Sequence, residues 1–391
     1  MFLSSRLAAL RAQDLTDSAD KCAMSQKTSW PHRVIGAGLL CAWVTLAAGA
    51  DFAQGVAAYK GADYATALAV FNDCAQHGDA RAQLSLGLMY DNGEGVVADP
   101  KRALEWYSKS ADQGVAKAQY QMGLLYLKGR GIPRDDTVAR EWFARAAEGG
   151  DQNAVARYRQ FAEDGDIEAQ YNLALMYLRG SGLARDPAAA AGWLQRASGR
   201  GHLGAMFGYA RLYETGRGIA RSYREAANWY ERAASQGDAK AAFNLAGLLR
   251  AGQGVPQDAA KAEHYYAIAA EHGYLPAAFT LGRLYATGET LSKDPKRALA
   301  WYTRAAQAGS TDAQINLGYL YAEGDGVAQD LEAAYAWFYT AQQLDHPLAA
   351  DNLAVLTAQL DADGVTAGQK LALEFLEGVQ AKLSGGGKQL P

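Results

Sequence analysis

Cysteine, histidine and proline are all scarce in this sequence, and each scarcity excludes a class of protein or of site. Three cysteines and six histidines in 391 residues are too few for a disulfide framework or for a recurring zinc motif. Nine prolines argue against a collagen-like or proline-rich disordered chain. The formal net charge of −4 gives no reason to expect a nucleic acid partner, because nucleic acid-binding domains are usually strongly basic.

The first 50 residues contain a segment typical of a secretory signal peptide. Its start is basic, with Lys27 and Arg33, an apolar stretch follows over 34–48, and small residues occupy 48–50. This order of features is what a signal peptidase substrate requires. The apolar stretch is too short for a membrane span, which needs about 20 residues. We therefore expect 24–50 to be cleaved and the mature protein to be periplasmic or secreted, without a transmembrane span.

A period of 36 residues runs through most of the chain. The aromatic residues that mark it are 36 residues apart at every step except one, where the separation is 51. These residues are Trp106, Trp142, Trp193, Trp229, Tyr265, Trp301 and Trp337. A period of this length predicts an all-α solenoid in which each repeat is a helix, a turn and a second helix.

Glycines recur at two positions of the repeat. Gly87 and Gly123 stand in the middle of the first helix, as do Gly282 and Gly318 in later copies. Because glycine costs about 1 kcal/mol of helix propensity, we expect close packing there that excludes a side chain. Gly-x-Gly pairs such as 93/95 are predicted to supply positive φ in the turn.

The repeated pattern A-x-x-x-L-G-x-x-Y-x-x-G-x-G-V-x-x-D-x-x-K-A-x-x-W-Y-x-x-A-A-x-x-G resembles the Sel-1-like repeat, a relative of the tetratricopeptide repeat. It is clearest over 294–309 and 313–326, and seven copies span 79–150 and 166–346. The resemblance implies a right-handed superhelical solenoid without catalysis of its own or a cofactor. It also implies roles such as periplasmic regulators, adaptors for envelope or exopolysaccharide processes, and host-interaction factors.

Three positions in two copies depart from the pattern, and one insertion interrupts it. Leu249 replaces the first-helix Tyr, Tyr265 replaces Trp, and Thr290 replaces the second turn Gly. The 15 additional residues 151–165 match the end of a second helix, so they predict an extra helix and a bend or specialised surface there. The predicted organisation is an untranslated or disordered segment 1–23, the signal peptide 24–50, a capping hairpin 51–78, repeats 79–150, the extra helix 151–165, repeats 166–346, and capping helices with a flexible tail 347–391.

Residues able to perform chemistry do not assemble into a recognised motif. The only Ser-x-x-Lys begins at Ser18, before the signal peptide, and Lys-Thr-Gly is absent, so the serine β-lactamase motifs are missing. The cysteine-rich branch of the repeat family has been associated with β-lactam binding, but the mature chain retains Cys74 alone. A hydrolase or β-lactam-binding enzyme, and a structural protein that binds cell-wall glycan, stay as alternatives to a scaffold.

One face of the first helices varies from copy to copy and is the candidate binding surface. Its positions in the first copy, 81, 85, 88 and 92, are spaced i, i+4, i+7 and i+11 and share one side of a helix. By resemblance to tetratricopeptide solenoids, this side is concave. The candidate partner-binding residues are Arg81, Ser85, Leu88, Asn92, Lys117, Gln121, Leu124, Lys128, Asn172, Leu175, Arg179, Arg211, Lys240, Arg283, Asn316 and Tyr319.

The charge of this face is opposite to that of the whole chain. Its cations are Arg81, Lys117, Lys128, Arg179, Arg211, Lys240 and Arg283, and its acids are Glu168, Asp312 and Glu323. This excess predicts a protein partner with an acidic segment. Leu88, Leu124 and Leu175 add an apolar stripe that could hold a peptide. Alternatively, these leucines pack against neighbouring repeats. The oligomeric state is left open.

Overall fold

A computed structural model describes residues 52–385, and every regular element in that range is a helix. The chain divides into two compact units, which meet in sequence at Arg221 and Ser222. No helix within 52–385 is both long and apolar enough to cross a membrane. The predicted segments 1–23 and 24–50 lie outside the described residues, as do 386–391.

The first unit holds the N-terminal cap and the first copies of the repeat. Its helices are α1 (52–60), α2 (Tyr64–Gln76), α3 (Ala80–Asn92), α4 (Pro100–Asp112), α5 (Ala116–Lys128), α6 (Asp136–Glu148), α7 (Gln152–Glu163), α8 (Ile167–Arg179), α9 (Pro187–Gly199) and α10 (Leu203–Thr215).

The second unit holds the later copies and the C-terminal cap. Its helices are α11 (Tyr223–Ala234), α12 (Ala239–Ala251), α13 (Ala259–Glu271), α14 (Leu275–Thr287), α15 (Pro295–Gln307), α16 (Thr311–Glu323), α17 (Leu331–Gln343), α18 (Ala349–Thr357) and α19 (Ala362–Gly385). Helix pairs of nearly equal length alternate through both units, which confirms the predicted all-α solenoid of helix-turn-helix repeats.

Local sequence fixes where these helices begin and end. At the start of α4, Asp99 Oδ1 accepts hydrogen bonds from the backbone N–H groups of Lys101 and Arg102, each at 3.1 Å, which satisfies two donors that the helix itself leaves unpaired. Each first helix ends at a glycine in the left-handed region, with φ between 65° and 80°. In the turn that follows α3, Gly95 also has a φ of 72°. The predicted Gly-x-Gly turn is therefore confirmed.

The mid-helix glycines lie directly against aromatic rings of the second helix. A Cβ on Gly123 would lie 2.7 Å from Cε1 of Phe143, and one on Gly282 would lie 2.5 Å from Cδ1 of Tyr302. Both rings are fully buried. Close packing between the two helices therefore excludes a side chain at Gly123 and Gly282, as predicted.

The insertion forms a single helix, α7, which resembles a second helix that has no first helix before it. Ala154 and Tyr158 are buried at the same spacing as Ala139 and Phe143 of α6. Residues of α6, α7 and α8 share one hydrophobic cluster, so the extra helix belongs to the core of the first unit. The bend expected at 151–165 stays a prediction.

The C-terminal cap covers the last repeat. Trp337 of α17 stacks on Phe375 of α19, with ring centroids 4.1 Å apart. Helix α19 runs to Gly385, the last described residue.

The N-terminal cap is tied to the first repeat by a charged hydrogen bond. Tyr59 Oη donates to Glu94 Oε2 at 2.6 Å, which joins α1 to the turn after α3. This hydrogen bond, with burial and the Glu94 charge, raises the pKa of Tyr59 to about 12. The folded state therefore retains the phenol proton at a pH where the unfolded chain releases it.

We expect Tyr59→Phe to lower the free energy of unfolding by about 1 kcal/mol near neutral pH, because the hydrogen bond to Glu94 is lost. The pKa of Tyr59 is raised from about 10, so this contribution is fully present below about pH 10 and is lost as the pH rises to about 12. Urea unfolding of both proteins at about pH 8 and about pH 11.5 measures the difference. An undiminished difference at the higher pH would contradict the assignment.

Candidate protein-binding surface

The sixteen predicted residues do not all reach solvent. We call the surface formed by the four predicted positions of each first helix the first-helix face. Its members that are exposed in the structure are Arg81, Asn92, Lys117, Lys128, Arg179, Arg211 and Lys240. Half-buried members are Ser85, Leu88, Gln121, Leu124, Asn172, Leu175 and Arg283.

Two of the predicted cations are neutralised within the chain. Arg81 Nη2 lies 2.7 Å from Asp79 Oδ2, and its guanidinium also sits 4.5 Å from the ring centroid of Phe52. Arg283 Nη1 lies 3.0 Å from Glu289 Oε2. These two arginines are therefore partly committed to intramolecular contacts, which the sequence pattern alone did not reveal.

The other five cations of the face are exposed side chains. Within residues 52–385 they form no ion pair with a carboxylate. They are Lys117, Lys128, Arg179, Arg211 and Lys240. Because they point into solvent and are not neutralised, they carry the positive charge that this surface offers to a partner.

The leucines of the face serve packing between repeats. Leu88 packs against the cluster built from α4 and α5, and Leu124 packs against the cluster of α6, α7 and α8. Leu175 is half-buried. Leu88 and Leu124 therefore belong to packed clusters and do not form a free apolar stripe.

Asn316 and Tyr319 were predicted to bind a partner, but the structure buries both. Tyr319 has no exposed surface, and Asn316 is 2% exposed. Asn352 of α18 donates from Nδ2 to Tyr319 Oη at 3.1 Å, and Asn316 Nδ2 donates to the backbone oxygen of Asp312 at 2.8 Å. The C-terminal cap packs on the seventh repeat at this position, so neither residue can contact a partner directly.

Polar members of the face also make internal contacts. Ser85 Oγ donates to the backbone oxygen of Arg81 at 2.9 Å. Asn172 Nδ2 donates to Tyr158 Oη of α7 at 3.2 Å. Such contacts hold these side chains in place beside the exposed cations.

A row of apolar residues beside the first-helix face is half-buried. Each stands directly before the second position of the first-helix face. They are Leu84, Tyr120, Tyr171, Phe207, Phe243 and Phe279, whereas Ile315 of the seventh repeat is fully buried. The surface beside the cations is therefore more aromatic than the sequence indicated.

One open cleft of about 510 Å³ lies beside the extra helix, between the α7–α8 turn and the α9–α10 turn. Its polar side chains pair within the chain: Arg140 with Asp166, His202 Nε2 with Glu168 Oε1 at 3.1 Å, and Arg200 with the backbone oxygen of Gly165. His202 Nδ1 accepts the backbone N–H of Ala205 at 3.0 Å. Asp166 and His202 are the N-cap residues of α8 and α10, so these contacts stabilise the N-termini of the two helices.

Metal and nucleophile chemistry find no support in the described residues. Across 52–385 no three His, Cys, Asp or Glu side chains are grouped closely enough to hold a metal ion. Cys74 lies buried on α2. Its burial agrees with the expectation that it acts as a small hydrophobic residue.

Further exposed positive charge lies outside the first helices, in the turns that follow them. Arg185 and Arg217 stand in the turns after α8 and α10, and both are exposed. The Gly-x-Gly pattern predicts the backbone conformation of these turns but not the charge that they carry. A comparison of turn residues between copies would have found them.

Comparison with a family model described as Sel1 repeat finds seven matching stretches. They are residues 80–115, 116–151, 167–202, 204–238, 239–274, 275–310 and 311–346. The stretch left unmatched between the second and third copies contains α7, in agreement with its irregular place in the repeat.

Among solved structures, a Sel1 repeat protein from Oxalobacter formigenes is 31% identical, covering 83% of this chain and 91% of that chain, with a TM-score of 0.45. The protein c5321, a protective antigen present in uropathogenic Escherichia coli strains and displaying an SLR fold, is 27% identical. That match covers 88% of this chain and 87% of c5321, with a TM-score of 0.36. A comparison with curated proteins found no match.

Proposed function

Because the chain belongs to the Sel1 repeat family, we propose that it is a non-catalytic scaffold or adaptor that binds an acidic segment of a partner protein along the first-helix face. Repeats of this type form extended surfaces that are typical of protein-binding scaffolds. Only the partner's identity then distinguishes a signalling role from one in an exopolysaccharide or other envelope process.

The observation that carries the proposal is the charge of the first-helix face. Seven cations, five of them exposed and without an ion pair within residues 52–385, outnumber the three acids Glu168, Asp312 and Glu323 on this face, in a chain whose formal net charge is −4. A patch of opposite sign to its own protein attracts a complementary partner and orients it during encounter. The half-buried aromatic residues beside the cations add apolar area for contact.

The proposed place of action is the bacterial envelope. The signal peptide predicted at 24–50 supports export, and an exported scaffold would meet its partner in the periplasm or outside the cell. Cleavage after Ala50 would leave a chain that begins at Asp51, which is the form to use in binding experiments.

We expect a charge-reversed variant to lose its partner in affinity capture from envelope extract. The variant carries Lys117→Glu, Lys128→Glu and Lys240→Glu, all exposed positions of the first-helix face. Reversal replaces attraction of an acidic segment by repulsion, so the partner recovered by the unmodified chain should be absent. Capture by the unmodified chain should also weaken as salt rises above about 0.15 M.

A matched control reverses three exposed lysines elsewhere, by Lys60→Glu, Lys101→Glu and Lys296→Glu. It changes the net charge by the same amount and should still recover the partner. Loss in both variants, or in neither, would contradict binding through the first-helix face. Recovery of glycan without protein would favour the cell-wall alternative.

A further inference from the structure

Four exposed arginines gather near the C-terminal end of α8, within the first unit. They are Arg179, Arg185, Arg211 and Arg217. Arg217 Nη2 donates to the backbone oxygen of Leu178 at 2.8 Å, so its guanidinium lies at the end of that helix. The Cβ of Arg185 lies 3.4 Å from where a Cβ on Gly180 would stand, which places Arg185 at the glycine that ends α8. We call this group the arginine cluster.

The second repeat contains the same arginine in a neutralised form. Arg130 follows the first glycine of its turn, as Arg217 does in the fourth repeat. Its Nη2 lies 3.1 Å from the backbone oxygen of Asp91 and 3.1 Å from Asp91 Oδ1. The side chain of Asp91 is only 12% exposed, so this carboxylate is built into the contact between repeats.

The fourth repeat keeps only half of that contact. Leu178 occupies in α8 the place that Asp91 occupies in α3, so Arg217 retains the backbone oxygen but has lost the carboxylate. Glu214 stands at the Asp91 position of the fourth repeat itself, one copy too late to replace it. The chain therefore preserves an arginine and omits the acid with which the earlier copy pairs it.

Neighbouring arginines add to the positive charge around Arg217, which already lacks a carboxylate partner from the preceding repeat. Burial, and then the positive charges of Arg185 and Arg211, lower the pKa of Arg217 from its usual value. The C-terminal end of a helix stabilises a cation, which can account for one arginine there. It does not account for further cations around the same helix end, because each added like charge opposes the others.

We propose that the arginine cluster binds a carboxylate of the partner's acidic segment, which takes the part that Asp91 takes for Arg130. A guanidinium holds a carboxylate through two parallel hydrogen bonds, and arginine is the residue best suited to this geometry. The assignment rests on the proposed function, since it places one anchoring contact of the acidic partner at the turn beside the first-helix face.

The test uses a fluorescent hexaglutamate peptide as the probe and hexaglutamine as its neutral counterpart, with the chain from Asp51 as the protein. Arg217→Gln and Arg185→Gln should each weaken hexaglutamate binding roughly tenfold, since each removes a charge-assisted hydrogen bond. Arg130→Gln removes an arginine that Asp91 already neutralises, and should leave binding unchanged.

Substitution of Leu178 gives a test that removes no arginine. Leu178→Asp should weaken hexaglutamate binding as much as Arg217→Gln does, because it restores the internal carboxylate. Leu178→Asn introduces a side chain of nearly the same shape as aspartate but without its charge, and should retain binding. Circular dichroism checks that both variants keep the helical content of the unmodified chain.

Three results would overturn the assignment. They are unchanged binding by Leu178→Asp, equal losses in Arg130→Gln and Arg217→Gln, and binding of phosphatidylglycerol vesicles through the cluster without binding of hexaglutamate. Envelope capture keeps the two proposals separate. If capture depends on the lysines of the first-helix face while hexaglutamate binding ignores Arg217, the cluster assignment fails and the proposed function stands. If capture does not depend on those lysines, the proposed function fails, whatever the result of the hexaglutamate experiment.

Discussion

Replacing Tyr158 by alanine is expected to lower the free energy of unfolding by about 3–5 kcal/mol, the usual cost of removing a large buried aromatic side chain. Tyr158 of the extra helix is 2% exposed. It lies in the one cluster that joins α6, α7 and α8, so the cavity would open between three helices. Urea unfolding measures the loss, and amide hydrogen exchange should place it in these helices.

The matched variant Tyr158→Phe keeps the ring and removes only the hydroxyl. That hydroxyl accepts one hydrogen bond, from Asn172 Nδ2 at 3.2 Å, so the expected cost is about 1 kcal/mol or less. A small effect of Tyr158→Ala would mean that α7 lies outside the core. Equal effects of the two variants would mean that the hydrogen bond, and not ring packing, holds the extra helix.

Gly123→Ala is expected to lower the free energy of unfolding by about 1–2 kcal/mol, although alanine is the better helix former. The added Cβ would lie 2.7 Å from Phe143 Cε1. The ring of Phe143 cannot move aside easily, because it is fully buried and packs against Tyr120 and Phe161 at centroid distances of 5.5 Å and 6.0 Å. Urea unfolding at neutral pH measures the change.

Gly192→Ala in α9 is the control for Gly123→Ala, in the same unit. Gly192 is exposed, and a Cβ there would have no neighbour within 4 Å. Only the helix propensity changes, so the variant should be more stable by up to about 1 kcal/mol. Stabilisation by both substitutions would show that close packing is not the reason for glycine at position 123.

The fold was predictable because each repeat states its own structure in sequence. The period between Trp106 and Trp142 gives the length of one helix pair. The glycines at 93 and 95 mark a turn that needs positive φ. The extra helix was predictable for the same reason, since Tyr158 repeats the buried position of Phe143. Local patterns of this kind depend on few distant contacts, and a solenoid has few of them.

The candidate site was less predictable, because exposure depends on contacts beyond one repeat. Tyr319 occupies a face position, yet α18 covers it, and the repeat pattern does not show which face residues a capping helix covers. Leu88 packs against a cluster formed by α4 and α5, and Arg283 pairs with Glu289 in the turn after its own helix. Periodicity identifies which side of a helix varies, whereas neighbouring elements decide which residues on that side are free to bind.

The sequence shows that the residues of the arginine cluster recur at equivalent positions of the repeat, but the sequence alone does not explain why. Arg130 and Arg217 occupy the same place in two turns, and Asp91 and Leu178 the same place in two helices. Only the structure shows that these places touch across the repeat boundary. Comparison of the two repeats then distinguishes Arg130, which forms an ion pair with Asp91, from Arg217, which contacts only a backbone oxygen at the same place.

The measurement that tests the central claim most directly is lysine acetylation footprinting of the chain with and without the captured partner. Modification of Lys117, Lys128 and Lys240 on the first-helix face should slow when the partner is bound, while Lys60, Lys101 and Lys296 should react at unchanged rates. Slower modification of the second set, with the first set unaffected, would contradict the account and place the partner on another surface.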